Sequence, residues 1–351
     1  MGIEPGVFPP GPLNALTDVD GVLVGQVTRI EGTDVRTGAT AILPHAGNLL
    51  ADPVPAGLAV ANGHGKMMGA TQLIELGEIE TPVVLTNTFA VPRAAEAILD
   101  WTLASGGNWD SPSINPIVGE TNDGVLNAIQ RRPLTVADIR RSIDEAKAGP
   151  IDEGCVGAGT GTIALGWKAG IGTSSRRLPE ALGEFTVGVL VQANFGGELQ
   201  ILGRPIRREL GRRQFSWETR SERDLGSIMI VLATDAPLSD RNLTRLARRA
   251  FAGMAKTGAS MANGSGDYAI AFSTTDAVRR TPERRSGEST LADLGNGAVS
   301  PLFQAANEAT EEAIINALFA AEAMTGRNDR TVEALPIERV VDLLRQTGHV
   351  D

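Results

Sequence analysis

The stretch Asp224-Leu225-Gly226-Ser227-Ile228-Met229-Ile230 joins a charged segment to a continuous apolar run. Taken locally, Gly226-Ser227 is ordinary turn chemistry ahead of a buried strand. The same residues also suit a latent N-terminal nucleophile. Cutting the Gly226–Ser227 bond would free an α-amine on Ser227. With a reference pKa near 7.7–8.0, an appreciable fraction of that amine is neutral at pH 7. It can act as general base for its own hydroxyl, so no histidine is required. The chain has only three histidines, His45, His64 and His349. No pair of them has metal-ligand spacing, which argues against a His-based zinc site.

Three further clusters hold groups that could complete such a site. Asn263-Gly264-Ser265-Gly266-Asp267 is either an Asn-Gly turn or a loop that aims Ser265 and Asp267 at a nucleophile. Gln192-Ala193-Asn194 ends a strand-like run, and the Asn194 amide either terminates that strand or donates to an oxyanion. Glu120-Thr121-Asn122-Asp123-Gly124 is either a solvated acidic turn or a carboxylate that binds a substrate ammonium. The glycine-rich segment 154–172 lacks the final spacing of GxGxxG and the Gly-Lys-Ser/Thr of a phosphate loop, so close backbone packing around a pocket is expected there, not a nucleotide. Cys155 reads as a small buried residue, His64 as a turn residue, and the arginine pairs as solvated or interface groups.

Positioning these groups requires a layered α/β frame. Strand-like runs occupy 21–28, 57–61, 82–86, 186–192, 228–233 and 268–274. Helices are expected after Pro92 up to Gly106-Gly107, from a Thr135 cap to about 148, from a Ser239 cap to Gly258, over 300–324 and over 336–346. Leu243, Leu246, Ala247, Ala250, Phe251 and Met254 form one apolar helical face. Residues 203–225 lose apolar periodicity and read as a linker, 279–297 as a polar loop, and the proline-rich first residues as an extended arm. Strands do not simply alternate with helices, so a layered sandwich fits better than a doubly wound sheet.

Composition limits the partners. The 351 residues carry a net charge of −10, which argues against nucleic acid as the main partner. The single cysteine excludes an internal disulfide framework and fits a reducing compartment. No apolar run reaches the ~20 residues of a membrane span, and the N-terminus lacks a secretory pattern, so a cytoplasmic location is expected.

The clusters recur in one family. The chain resembles the L-aminopeptidase/D-esterase-amidase (DmpA-like) family, which also contains the β-peptidyl aminopeptidases (BapA). The resemblance rests on Leu13-Asn14-Ala15-Leu16-Thr17-Asp18, Val35 to Pro44, Leu85-Thr86-Asn87-Thr88, Gly170-Ile171-Gly172-Thr173-Ser174-Ser175-Arg176, Val187 to Asn194, Ala233-Thr234-Asp235-Ala236-Pro237-Leu238, and Asn263 to Asp267. It covers about 15–325. It implies a single-domain, four-layer αββα sandwich like that of N-terminal-nucleophile hydrolases, within which the precursor cuts itself into 1–226 and 227–351. It implies Ser227 as nucleophile, Asn194 as oxyanion donor, Ser265 as a second serine beside it, and Glu120 as the acid that holds the substrate's free amine. It further implies a homotetramer or larger homo-oligomer, no cofactor and no metal. The substrate would be a short peptide, amide or ester with a free amino group.

Two positions depart from the pattern. Asn122 stands where the family has an aromatic, often tyrosine, and Tyr268 is the chain's only tyrosine. Asp267 stands where some members carry Glu, one methylene longer. Two other functions use the same residues: acyl transfer or hydrolysis of non-peptide amides of the nylon-oligomer type, and an uncleaved relative that only binds.

Overall fold

The structure, a computed structural model, describes residues 3–212 and 225–346. Residues 213–224, at the heart of the expected linker, and His349 lie outside the described residues. The first half of the chain forms strands β1 (Leu23–Glu31), β2 (Val35–Leu43), β3 (Val54–Gly63) and β4 (Met67–Met68), helix α1 (Ala70–Leu76), strands β5 (Glu78–Ile79) and β6 (Val83–Asn87), helix α2 (Val91–Ala104), strand β7 (Ile117–Thr121) and helix α3 (Val136–Asp144). A small hairpin of β8 (Ile163–Ala164) and β9 (Trp167–Lys168) follows, then β10 (Ile171–Arg177), β11 (Thr186–Asn194), α4 (Ile206–Glu209), β12 (Leu225–Thr234), α5 (Asp240–Lys256), β13 (Gly264–Ser273), α6 (Pro282–Arg285), α7 (Ser300–Phe319) and α8 (Ile337–Arg345).

Two sheets stack face to face. One has the order β1-β2-β6-β7-β4 and the other β10-β11-β12-β13-β3-β5. Helices α2 and α3 cover the outer face of the first sheet, and α5 and α7 that of the second. The result is the αββα sandwich that the family resemblance implies. Strand β12 shows why its sequence is apolar without alternation. Ile228, Ile230 and Leu232 join the core beneath the helices, while Met229, Val231 and Ala233 join the core between the sheets. A strand covered on both faces has no polar side. Pairing of β12 with β13 is parallel, and α5 supplies the crossover between them.

Local signals place the helix starts. Thr135 and Asp138 form a capping box at α3, and Ser239 accepts a hydrogen bond from the Asn242 amide at the start of α5. The helix ends differ from expectation: α3 stops at Asp144 and α7 at Phe319, and the loop at 279–297 includes the short α6. The glycine-rich segment runs into the start of strand β10, and its glycines let backbones meet. A Cβ at Gly172 would lie 1.9 Å from the carbonyl oxygen of Ala313 in α7, and one at Gly170 would lie 1.7 Å from that of Gly154. Among the described residues, no helix is long and apolar enough to cross a membrane.

Candidate active site

Strand β12 already runs at Leu225, so the Gly226–Ser227 bond lies inside a strand and not ahead of one. Ser227 sits between two neighbours in register, Asn194 on β11 and Gly266 on β13. It is 6% exposed. Its Oγ accepts a hydrogen bond from the Gly266 N–H at 3.2 Å and donates to the Gly226 carbonyl at 2.5 Å. Strand alternation puts its side chain on the same face as Met229, toward the other sheet.

Asn194 ends β11, and both ends of its amide are engaged. Its Oδ1 accepts from the Ile163 N–H at 3.0 Å, and its Nδ2 donates to the Asn122 carbonyl at 3.2 Å. An Asn amide carries two N–H donors, so one remains. The Asn122 side chain is exposed, and its Oδ1 accepts from the Gly124 N–H at 2.9 Å. That bond makes it the cap of its own turn.

Ser265 and Asp267 are partners of each other. The Ser265 hydroxyl donates to Asp267 Oδ1 at 2.6 Å. Asp267 Oδ2 is buried without a partner. Burial pushes the Asp267 carboxyl up to about 6, and the Ser265 hydroxyl offsets only part of that. Both side chains lie on the β13 face that carries Ala269 and Ala271 into the helix-side core. Gly266, the residue between them, faces the same way as Ser227. Asn62 Nδ2 donates to the Ser265 carbonyl and holds the turn against the end of β3.

Glu120 lies in β7, on the other sheet, and is buried. Its Oε1 accepts from the Lys66 N–H at 3.0 Å, and its Oε2 accepts from the Thr88 hydroxyl. The Lys66 ammonium stands 3.5 Å from Oε1. Gly65 joins the two halves of the site. A Cβ there would lie 3.3 Å from Gly266 Cα and 3.4 Å from Glu120 Oε1. Tyr268 closes this corner by donating its hydroxyl to the Gly65 carbonyl at 3.0 Å. Burial raises the Tyr268 pKa, and the charges of Glu120 and Asp267 raise it further. Just past Glu120, burial pushes Asp123 up to about 7 despite hydrogen bonds from Thr37 and Asn127.

Ser227, Asn194, Asn122 and Glu120 thus gather where the two sheets face each other, with Ser265 and Asp267 beside them on the helix side of β13. Lys66, Thr88 and Gly65 also contribute, and sequence reasoning does not find them in these roles. The only local signal is the turn Asn62-Gly63-His64-Gly65-Lys66, whose paired glycines permit the close approach. His64 itself is exposed, and its N–H donates to the Ser265 carbonyl at 3.3 Å.

The chain can be set beside known proteins at this point. The family model "Peptidase family S58" matches residues 14–332. The β-peptidyl aminopeptidase BapA of Sphingosinicella microcystinivorans is 38% identical over 358 residues, which span 96% of this chain and 89% of that protein. A Burkholderia sp. β-aminopeptidase structure superposes with a TM-score of 0.89 at 38% identity, covering 99% of this chain and 98% of the other. The L-aminopeptidase D-Ala-esterase/amidase of Ochrobactrum anthropi, described as a new variant among the Ntn hydrolase fold, gives a TM-score of 0.90 at 38% identity over 100% of this chain and 98% of the other. The sandwich, the sequence motifs and these matches agree: the chain belongs to peptidase family S58.

Proposed function

We propose that this protein is a self-processing aminopeptidase that removes N-terminal residues from short peptides, amides or esters through Ser227. The observation that carries the reading is the position of the Gly226–Ser227 bond. It lies in a buried strand between Asn194 and Gly266, with the Ser227 Oγ already accepting the Gly266 N–H.

In maturation, Ser227 Oγ attacks the Gly226 carbonyl carbon. The Gly226–Ser227 amide bond breaks as an ester forms, and the hydroxyl proton passes to the released amine. Water then hydrolyses the ester, leaving Gly226 with a carboxylate and Ser227 with a free α-amine. In turnover, that amine takes the Oγ proton as Oγ attacks the substrate's acyl carbon. It hands the proton to the leaving amine or alcohol as the scissile bond breaks, leaving the acyl group as an ester on Oγ. Water, giving up a proton to the same amine, then hydrolyses that ester and restores the Ser227 hydroxyl. The free N–H of Asn194 and the Gly266 N–H are the candidate oxyanion donors, each worth about 3 kcal/mol. The unpartnered Asp267 Oδ2 accepts from the Ser227 ammonium and keeps it in place. Glu120, buried and partly coordinated by neutral donors, takes the substrate's ammonium. Requiring that ammonium makes the enzyme an exopeptidase. The family resemblance supports a homo-oligomer as part of the same reading, and the single cysteine, which fits a reducing compartment, supports a cytoplasmic location.

Intact mass spectrometry tests the reading. Cleavage divides the 351 residues into 226 and 125, giving fragments of about 24 and about 13 kDa, the smaller starting Ser-Ile-Met, if the nucleophile forms as described. Ser227→Ala should give one uncut, inactive chain. A wild-type protein of a single full-length mass would favour the uncleaved, binding-only relative instead.

A further inference from the structure

Glu120 already has a cation. The Lys66 ammonium is 3.5 Å from Oε1, and the Lys66 side chain is 56% exposed whereas that of Glu120 is 3% exposed. Lys66 thus reaches from solvent onto a buried carboxylate. The carboxylate has about four acceptor positions. The Lys66 N–H and Nζ both lie on Oε1, and the Thr88 hydroxyl takes one position on Oε2. An incoming ammonium therefore either displaces Lys66 or binds against its charge.

Lys66 also stands on the rim of a groove of about 530 Å³ that opens beside Gly65 and Tyr268. The rest of its wall is apolar, formed by residues such as Leu58, Met67, Ile74 and Val91. Lys66 is the one charged side chain among the lining residues. Gly65, which lines this groove, also lies against Glu120, so a side chain reaching the groove past Gly65 meets Lys66 as the one charge on its wall.

We infer that Lys66 is a specificity-determining residue that selects for substrates with an acidic side chain on the amino-terminal residue. This rests on the reading of Glu120 as the ammonium site. A carboxylate on the substrate draws Lys66 away and frees the Oε1 position for the substrate ammonium, so both charges are matched in one exchange. A neutral side chain leaves the two cations competing for Glu120. A basic side chain adds a third cation to the same corner. Efficiency therefore falls in the order acidic, neutral, basic.

The test uses mature enzyme with p-nitroanilides of glutamate, glutamine and lysine, offered as α-amino and as β-amino forms so that a backbone preference cannot hide the side-chain effect. In the wild type, kcat/KM should follow the order Glu, Gln, Lys. Lys66→Met should lower kcat/KM for Glu and raise it for Gln and Lys, each by about threefold, the scale of a half-exposed ion pair. Most of the change should be in KM, and Lys66→Arg should restore the wild-type ratios among the three substrates. If Lys66→Met changes all three substrates by one common factor, Lys66 is structural and the inference is overturned. Glu120→Gln separates the two levels. It should raise KM for all three; if it does not, the ammonium site itself is misassigned. If it does while Lys66→Met leaves the ratios among the three substrates unchanged, only the role of Lys66 fails.

Discussion

Asn194 lies directly across the antiparallel β11–β12 ladder from Ser227, while its side-chain amide reaches over to the Asn122 carbonyl, just past the end of β7 in the other sheet. One residue thus ties the strand that holds the nucleophile's neighbour to the turn that follows Glu120. The Ile163 N–H bond to its Oδ1 fixes which way the amide faces. A donor held at both ends is preorganised, and preorganised donors lower barriers more than mobile ones.

This geometry makes Asn194→Asp informative. Aspartate keeps the acceptor for Ile163 but replaces the donor with a negative charge near the developing oxyanion. The expected loss in kcat is about 10²–10³, with KM changing little. Steady-state kinetics on mature enzyme provide the check. A loss confined to KM would remove Asn194 from the oxyanion site.

Glu120→Gln keeps the shape and the acceptor for the Lys66 N–H but removes the charge. A hydrogen bond to a charged group contributes about 1.5–3 kcal/mol. The substitution should therefore lower kcat/KM for free-amine substrates by about tenfold to a hundredfold. N-acetylated versions of the same substrates, which lack the ammonium, should show no further loss. An equal loss for both would mean that Glu120 acts on structure alone.

The fold was legible where burial leaves a pattern. Strand β12 announces itself because both of its faces are covered, and α5 because only one of its faces is. The nucleophile candidate stood out because a charged stretch gives way to that buried strand within a few residues. What stayed hidden depends on contacts distant in sequence. Strand β10 begins where a glycine-rich segment ends and continues as Thr-Ser-Ser-Arg-Arg, with no apolar alternation to read. Lys66 and Thr88 acquire their roles only when the turn after β3 and the end of β6 meet Glu120. The cleavage bond was expected at a strand's edge, yet β12 begins at Leu225, because β13 keeps pairing past Ser227 to Gly264.

Gly172 of β10 allows a direct test of the packing argument. Helix α7 runs close enough over β10 that a Cβ at Gly172 would meet the Ala313 carbonyl oxygen at 1.9 Å. Neither partner is a flexible side chain that can swing aside. Gly172→Ala should destabilise the protein by about 3 kcal/mol or prevent folding. Denaturant unfolding of the Ser227→Ala chain, with and without the added methyl, measures this. A neutral result would mean that α7 can lift from the sheet at little cost.

Buried carboxyls give the protein an unusual pH dependence of stability. Asp123 and Glu153 are pushed up to about 7 and Asp267 to about 6, in each case chiefly by burial. Their native forms hold a proton more tightly than the unfolded chain, where a carboxyl has its ordinary value near 4. Stability from these groups is fully present below that value and is lost as pH rises through 6 to 7. His45 acts in the opposite sense: burial lowers its pKa, so its contribution is present above its ordinary value and falls away in acid. Comparing variants cancels the His45 contribution. Asp123→Asn keeps an acceptor for the Asn127 amide but cannot ionise. In the uncut Ser227→Ala chain, this variant should gain on its parent by more than about 1 kcal/mol between pH 5 and pH 8. Urea unfolding across that range gives the difference directly. A difference that stays flat with pH would show that Asp123 is already ionised in the folded protein at pH 5.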